Sequence, residues 1–213
     1  MGRRALPKVD PKLDLSTHLL TVEGFPTPWN PTALFGRDAP LEVEVGSGKG
    51  LFLQTASKSQ PEHNFLGVEV SYKYARFTAA RLAKQSASNA VSVHGDGLRF
   101  FRQFVPDESL AAVHVYFPDP WWKARHRRRR VLNEEFLADV VRTLRPTGRL
   151  HFWTDVHEYF ESTLELIAQR TPLVGPIEVP ERPAEHHLDY RTHFERRTRL
   201  CDEPVYRAQF EKS

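Results

Sequence analysis

Sulfur is almost missing from this chain: Cys201 and Met1 stand alone in 213 residues. One cysteine closes no internal disulfide, which points to a reducing compartment. An isolated cysteine is also more often a small packing residue than a nucleophile. No apolar run approaches the ~18 residues that span a membrane. The basic stretch from Met1 to Lys12 has no apolar segment behind it, so no secretory signal is expected. Leu6 stands where a myristoylation site wants Ser or Thr. The expected location is therefore cytoplasmic. Concentrated negative charge is lacking too: acidic residues are scattered, whereas positive charge gathers at Arg3-Arg4, at 123–130 and at 191–199. There is no internal repeat and no low-complexity segment.

What is present fits one α/β domain. Forty per cent apolar residues can bury one sizeable core. Residues 1–40 are punctuated by Pro7, Pro11, Pro26, Pro28, Pro31 and Pro40. They read as an irregular arm with one short element near Leu15 to Val22, ahead of a domain over 41–213. The net charge of +3 is modest for a nucleic-acid binder, so its distribution matters more than its total.

The stretch Phe117-Pro118-Asp119-Pro120-Trp121-Trp122-Lys123 organises the rest. The apolar run from Ala111 to Phe117 reads as a buried strand. Pro118 and Pro120 fix their own φ and favour extended Phe117 and Asp119. Asp119 then stands at the carboxyl end of a strand, where open α/β sheets bind ligands. Lys123, Arg125, His126, Arg127, Arg128, Arg129 and Arg130 follow at once. Like charges so close repel unless a polyanion neutralises them, which points to polyanion binding beside a chemical site.

Leu41 to Val45 alternates as a strand, runs into Gly46-Ser47-Gly48-Lys49-Gly50, and is followed by the helical stripe Leu51, Phe52, Leu53 and Ala56. Strand, glycine turn and helix form a nucleotide-cofactor arrangement. A Walker loop fails because Gly50 follows Lys49. A dinucleotide fingerprint fails because Leu51 occupies its last glycine position. Glu44 ahead of G-x-G-x-G fits S-adenosylmethionine-dependent methyltransferases. Phe65 to Val70 reads as a second strand, and its Glu69, about 20 residues after the first glycine, suits a ribose diol. Tyr74, Phe77, Ala80 and Leu82 mark a core-facing helix. Asp96, in a Gly-Asp-Gly turn after the strand Val91 to His94, suits an adenine amine. Asn133 to Leu144 is an amphipathic helix, and Arg149 to Thr154 the fifth strand. Asp155 is expected to cap the helix that follows. Thr192 and Glu195 match a capping box. His186 and His187 beside Asp189 could suggest a metal, but neighbouring histidines diverge on a regular element and no further ligand stands at workable spacing, so no metal is expected.

These motifs occur in the same order in the bacterial tRNA (guanine-N7)-methyltransferases, which the chain resembles over roughly 40–212. The 117–130 block is specific to that family; the glycine turn is shared by class I methyltransferases generally. The resemblance implies a Rossmann-like fold with a mostly parallel seven-stranded sheet and S-adenosylmethionine as donor. It also implies methyl transfer to N7 of the guanine at position 46 of the tRNA variable loop. Carried over, Glu44, Gly46, Gly48, Glu69, Asp96 and Asp119 bind the donor, and Asp119 is also the catalytic residue. Lys123, Asp155, Thr192, His193, Phe194 and Glu195 bind the substrate, and Arg125 to Arg130 contact RNA. Trp122 departs from the pattern, where His or Pro is expected. Two alternatives stay open: a methyltransferase acting elsewhere on RNA, for instance at an exocyclic amine, and a tRNA-binding module without turnover.

Overall fold

The computed structural model describes residues 6–27 and 29–213. Its centre is a sheet of eight strands in the order β1-β4-β3-β2-β5-β6-β8-β7. The strands are β1 (Leu19–Thr21), β2 (Leu41–Val45), β3 (Asn64–Glu69), β4 (Ala90–His94), β5 (Leu110–Tyr116), β6 (Leu144–Thr154), β7 (Val174–Glu178) and β8 (Tyr206–Glu211). All neighbours run parallel except that β8 lies antiparallel to both β6 and β7. From β2 the chain builds outward through β3 to β4, then returns to lay β5 on the other flank of β2. That reversal opens the crevice where doubly wound sheets bind ligands.

The α-helices are α1 (Pro31–Phe35), α2 (Leu51–Ser59), α3 (Tyr72–Lys84), α4 (Gly97–Gln103), α5 (Glu134–Thr143), α6 (His157–Arg170) and α7 (His193–Leu200). Side chains alternate across a strand, so one face buries Val43, Val113, Leu150 and Phe152 with Phe100, Phe136 and Tyr159 of α4, α5 and α6. The other packs Phe65, Tyr116 and Trp153 against Phe52, Leu53 and Leu82 of α2 and α3.

Two sequence expectations change here. The sheet has eight strands rather than seven, because Leu19–Thr21 of the arm pairs in parallel with Ser92 to His94 on β4. The arm goes on to bury Val22, Phe25 and Trp29, and Phe25 lies edge-on to Phe100 with ring centroids 5.0 Å apart. Asp155 does not cap α6. Val156 is the N-cap residue, and it is Thr154 Oγ1 that accepts from the Val156 amide at 3.2 Å.

Candidate active site

The carboxyl ends of β2, β3 and β5 share one edge, and the glycine turn leaves β2 there. Gly46, Gly48 and Gly50 have φ of +80°, +54° and +67°, a region open to glycine and strained for most other residues. A Cβ at Gly46 would meet nothing within 4 Å, whereas one at Gly50 would lie 2.3 Å from Thr78 Cγ2. The turn is therefore open toward the outside and pressed onto α3 behind. Thr78 Oγ1 donates to Gly48 O at 3.1 Å and Arg81 to Lys49 O at 2.8 Å.

Glu44 lies on β2, two residues ahead of this turn. It is 2 % exposed, and its Oε2 has no partner among the described residues; nor has Ser47 Oγ. Burial pushes the Glu44 carboxyl well up, the nearby Glu69 adds to this, and Arg191 opposes it. A buried carboxyl oxygen and a buried hydroxyl without partners, beside an open backbone turn, form a site short of a polar ligand. The donor implied by the resemblance fits that chemistry: its ammonium suits Glu44 and its diol suits a fixed carboxylate. Glu69 is such a carboxylate, with Oε2 accepting from Gly48 N and Oε1 from Ser71 N, both at 2.8 Å. Val70 beside it is 73 % exposed, an apolar surface at the strand end that sequence reasoning did not single out. Asp96 lies on the same edge, where Oδ1 caps α4 by accepting from Leu98 N and Arg99 N.

Asp119 is exposed beyond β5. Phe117 is not extended, as its place before proline predicts, but left-handed, with φ +49°. Its amide donates to Trp153 O at 2.8 Å, and its ring lies 5.0 Å from that of Phe194 on α7. These long-range contacts decide the conformation. Strained backbone of this kind collects at functional sites.

The basic run forms a 3-10 turn from Ala124 to Arg129. Lys123, Arg125, Arg127, Arg128 and Arg129 are exposed. Arg129 lies over the Trp121 ring at 5.1 Å, and Trp122 is 68 % exposed. Arg130 faces inward and is 6 % exposed. It donates to Pro120 O and Glu158 and lies over Tyr159, so it anchors the Asp119 stretch to α6. Arg127 shares Glu158 at 3.2 Å, which offsets part of the repulsion within the run.

Thr192 caps α7, with Oγ1 accepting from Glu195 N at 2.9 Å. Glu195 is 3 % exposed. Its Oε2 accepts from Arg191 N, and Oε1 faces Arg199 and Arg207 at 3.4 and 3.5 Å. Its carboxylate is thus already engaged within the protein. His193 meets Arg81, their nitrogens 2.8 Å apart. Burial, with Arg81 and Lys49 adding to it, lowers the imidazole to about 4, so His193 accepts there as a neutral ring. Burial raises Asp155, at the end of β6. The site therefore gathers Glu44, Glu69 and the glycine turn, with α7 joined to them through Arg81 and to the Asp119 stretch through Phe117.

Arg81 is the residue sequence reasoning missed most completely, since a helical arginine carries no motif. A second unforeseen cluster lies on the same sheet face. Glu42 accepts from His63 Nδ1 at 2.6 Å and His114 Nε2 at 2.7 Å, and His114 Nδ1 meets the Tyr116 hydroxyl at 2.8 Å. His186 and His187 lie in a loop rather than on a regular element, their ring centroids 4.1 Å apart. Asp189 Oδ2 is engaged by the amides of Glu185 and His186. Among the described residues no group of three or more His, Cys, Asp or Glu side chains is placed to hold a metal, and no helix is long and apolar enough to cross a membrane.

Comparison with known proteins agrees with this fold. A structure of a SAM-dependent methyltransferase from Aquifex aeolicus superposes with a TM-score of 0.56 at 12 % identity, covering 86 % of this chain and 94 % of that one. A family model described as "Putative methyltransferase" matches residues 38–208. A tRNA (guanine-N(7)-)-methyltransferase from Rhodopirellula baltica is 52 % identical over 100 % of this chain and 80 % of its own length. One from Alcanivorax borkumensis is 36 % identical over 86 % of this chain and 77 % of its own. A glycine turn after a buried acid, an aspartate beyond β5 and a basic run behind it are thus set in a sequence similar to these relatives along most of its length, and the chain belongs to the tRNA (guanine-N(7)-)-methyltransferase family.

Proposed function

We propose that this protein methylates N7 of guanine in tRNA, at position 46 of the variable loop, with S-adenosylmethionine as donor. The observation that carries the reading is the unpartnered, buried Glu44 just ahead of an open glycine turn, on the same sheet edge as Asp119 and the arginine run. All the groups invoked lie in 41–213, the proposed methyltransferase domain.

When bound, S-adenosylmethionine supplies an electrophilic methyl group on a sulfonium. Glu44 and the turn at Gly46 and Gly48 hold its charged end, Glu69 its diol, Val70 and Asp96 its base. Guanine N7 has an in-plane lone pair and no proton, so no side chain has to act as a base toward it. The chain's contribution is positioning, with carboxylate charge placed where the base becomes cationic. Asp119, exposed and at the end of β5, is assigned that role and the orientation of the guanine. Asp155 accepts from the guanine edge and so selects G over A. Thr192, His193 and Phe194 contribute the α7 side of the pocket, and Glu195 acts by holding α7 in place. N7 lies on the major-groove edge, which tertiary pairing can occupy, so the base is withdrawn from its stack. Lys123, Arg125, His126, Arg127, Arg128 and Arg129 hold flanking phosphates, and Trp122 offers a stacking face.

The test is transfer of labelled methyl to unmodified tRNA transcripts with guanine or adenine at position 46, mapped by borohydride and aniline cleavage. Label on the guanine transcript only, with cleavage at 46, is the expected result. Label without cleavage would move the target away from N7, for instance to an exocyclic amine. Bound tRNA without transfer would leave a binding module.

A further inference from the structure

Arg81 lies on α3, away from every motif that marks this site, yet it touches both of the site's halves. Its Nη1 donates to Lys49 O in the glycine turn and meets His193 Nε2 at the start of α7, both at 2.8 Å. Its Nη2 donates to Gln54 Oε1 on α2, and the guanidinium carbon lies 5.9 Å from the centroid of the Phe77 ring. A planar fork with several fixed donors can hold partners on three elements at once, which an ammonium on a flexible stem does not reproduce. The turn it grips is the one that also meets Glu69 through Gly48 N. The helix it grips begins at the Thr192 cap.

We propose that Arg81 is a positioning residue that couples the glycine turn to the 192–195 segment, so that donor binding and tRNA binding strengthen each other. This rests on the functional reading given above, in which the turn takes the donor and the start of α7 faces the target base. A donor settling against the turn fixes the Lys49 carbonyl. That fixes Arg81, and Arg81 fixes His193 and the first turn of α7. In the other direction, a base held against α7 immobilises the turn before the donor arrives. The coupling is reciprocal by necessity and falls in the range of about 5- to 150-fold for linked sites.

The experiment measures calorimetric affinity for S-adenosylhomocysteine, which binds without turnover, with and without saturating unmodified tRNA transcript. It is run on the full chain and on Arg81→Ala, Arg81→Lys and His193→Ala, with thermal unfolding of each as the check on folding. The unsubstituted chain is expected to bind about 5-fold or more tightly when tRNA is present. In all three variants the ratio is expected to fall below about 2. Arg81→Lys keeps the charge and much of the volume, and His193→Ala leaves the Lys49 contact intact, so lost packing alone would not move the ratio in both. A ratio retained in the variants overturns the proposal. So does a ratio of one in the unsubstituted chain with both ligands bound. Failure of the unsubstituted chain to bind either ligand would instead sink the functional reading.

Discussion

Replacing Glu42 by Gln keeps the shape of a buried carboxylate and removes its charge. Glu42 accepts N–H bonds from His63 and His114. Burial raises its pKa, and the two histidines outweigh that, His114 the more, holding the carboxyl at about 2 instead of 4.5. Burial keeps His114 neutral and raises the Tyr116 hydroxyl. Tyr116 O–H therefore donates to Nδ1, and Nε2–H donates to Glu42. Two N–H bonds to a buried carboxylate, at about 1.5 kcal/mol each, make it worth about 3 kcal/mol at neutral pH. The folded pKa is depressed, so the stability is present above the unfolded value of 4.5 and is lost as pH falls toward 2. Thermal unfolding should place Glu42→Gln about 6 to 12 °C below the unsubstituted protein at pH 7. Urea midpoints should show less than about half of the pH 7 difference remaining at pH 3. Equal differences at pH 7 and pH 3 would refute the reasoning, because they would reflect shape or packing rather than charge.

Glu44 carries the opposite sign. Its folded pKa is raised, so the folded state keeps a proton the unfolded chain releases, and stability falls as pH rises from the ordinary carboxyl value through the raised one. Glu44→Gln should therefore be more stable than the unsubstituted protein at pH 8 while binding S-adenosylhomocysteine at least about tenfold more weakly; chemical unfolding and calorimetry read both. Arg128→Ala should change stability by less than about 0.5 kcal/mol yet lower the slope of log affinity for tRNA against log salt by about 1. Arg130→Ala should do the reverse, losing about 2 kcal/mol of stability with the buried bonds to Pro120 and Glu158 and the Tyr159 stack. Because N7 needs no deprotonation, the single-turnover rate constant should be flat from pH 6 to 8; a tenfold rise that vanishes in Asp119→Asn would show proton removal.

The sheet edge was legible because local features marked it. Val43 and Val45 alternate with Glu42 and Glu44, the glycines follow, and Glu69 ends the next strand; each pattern is contained within a few residues. What stayed hidden depends on residues distant in sequence. The three residues of β1 are too few to show a period, and only Ser92 to His94 make them a strand. Phe117 follows Trp153 and Phe194 rather than its own proline. Arg130 reads as one more cation in a run, and only Glu158 and Tyr159 turn it inward. Glu195 fits both a ligand and a cap in sequence, and Arg199 and Arg207 tie its carboxylate to the protein.

The seat of the glycine turn on α3 also limits how this sequence can change. A β-carbon at position 50 would lie 2.3 Å from Thr78 Cγ2 and 2.6 Å from its hydroxyl, so residue 50 cannot grow while threonine stands opposite. Trimming position 78 to alanine would still leave its β-carbon 2.8 Å away, and would release the Gly48 carbonyl that Thr78 holds. Each single step is blocked for a different reason, one steric and one polar. With φ at +67° as well, position 50 is held to glycine from two sides, and homologues should keep it whatever stands 28 residues on.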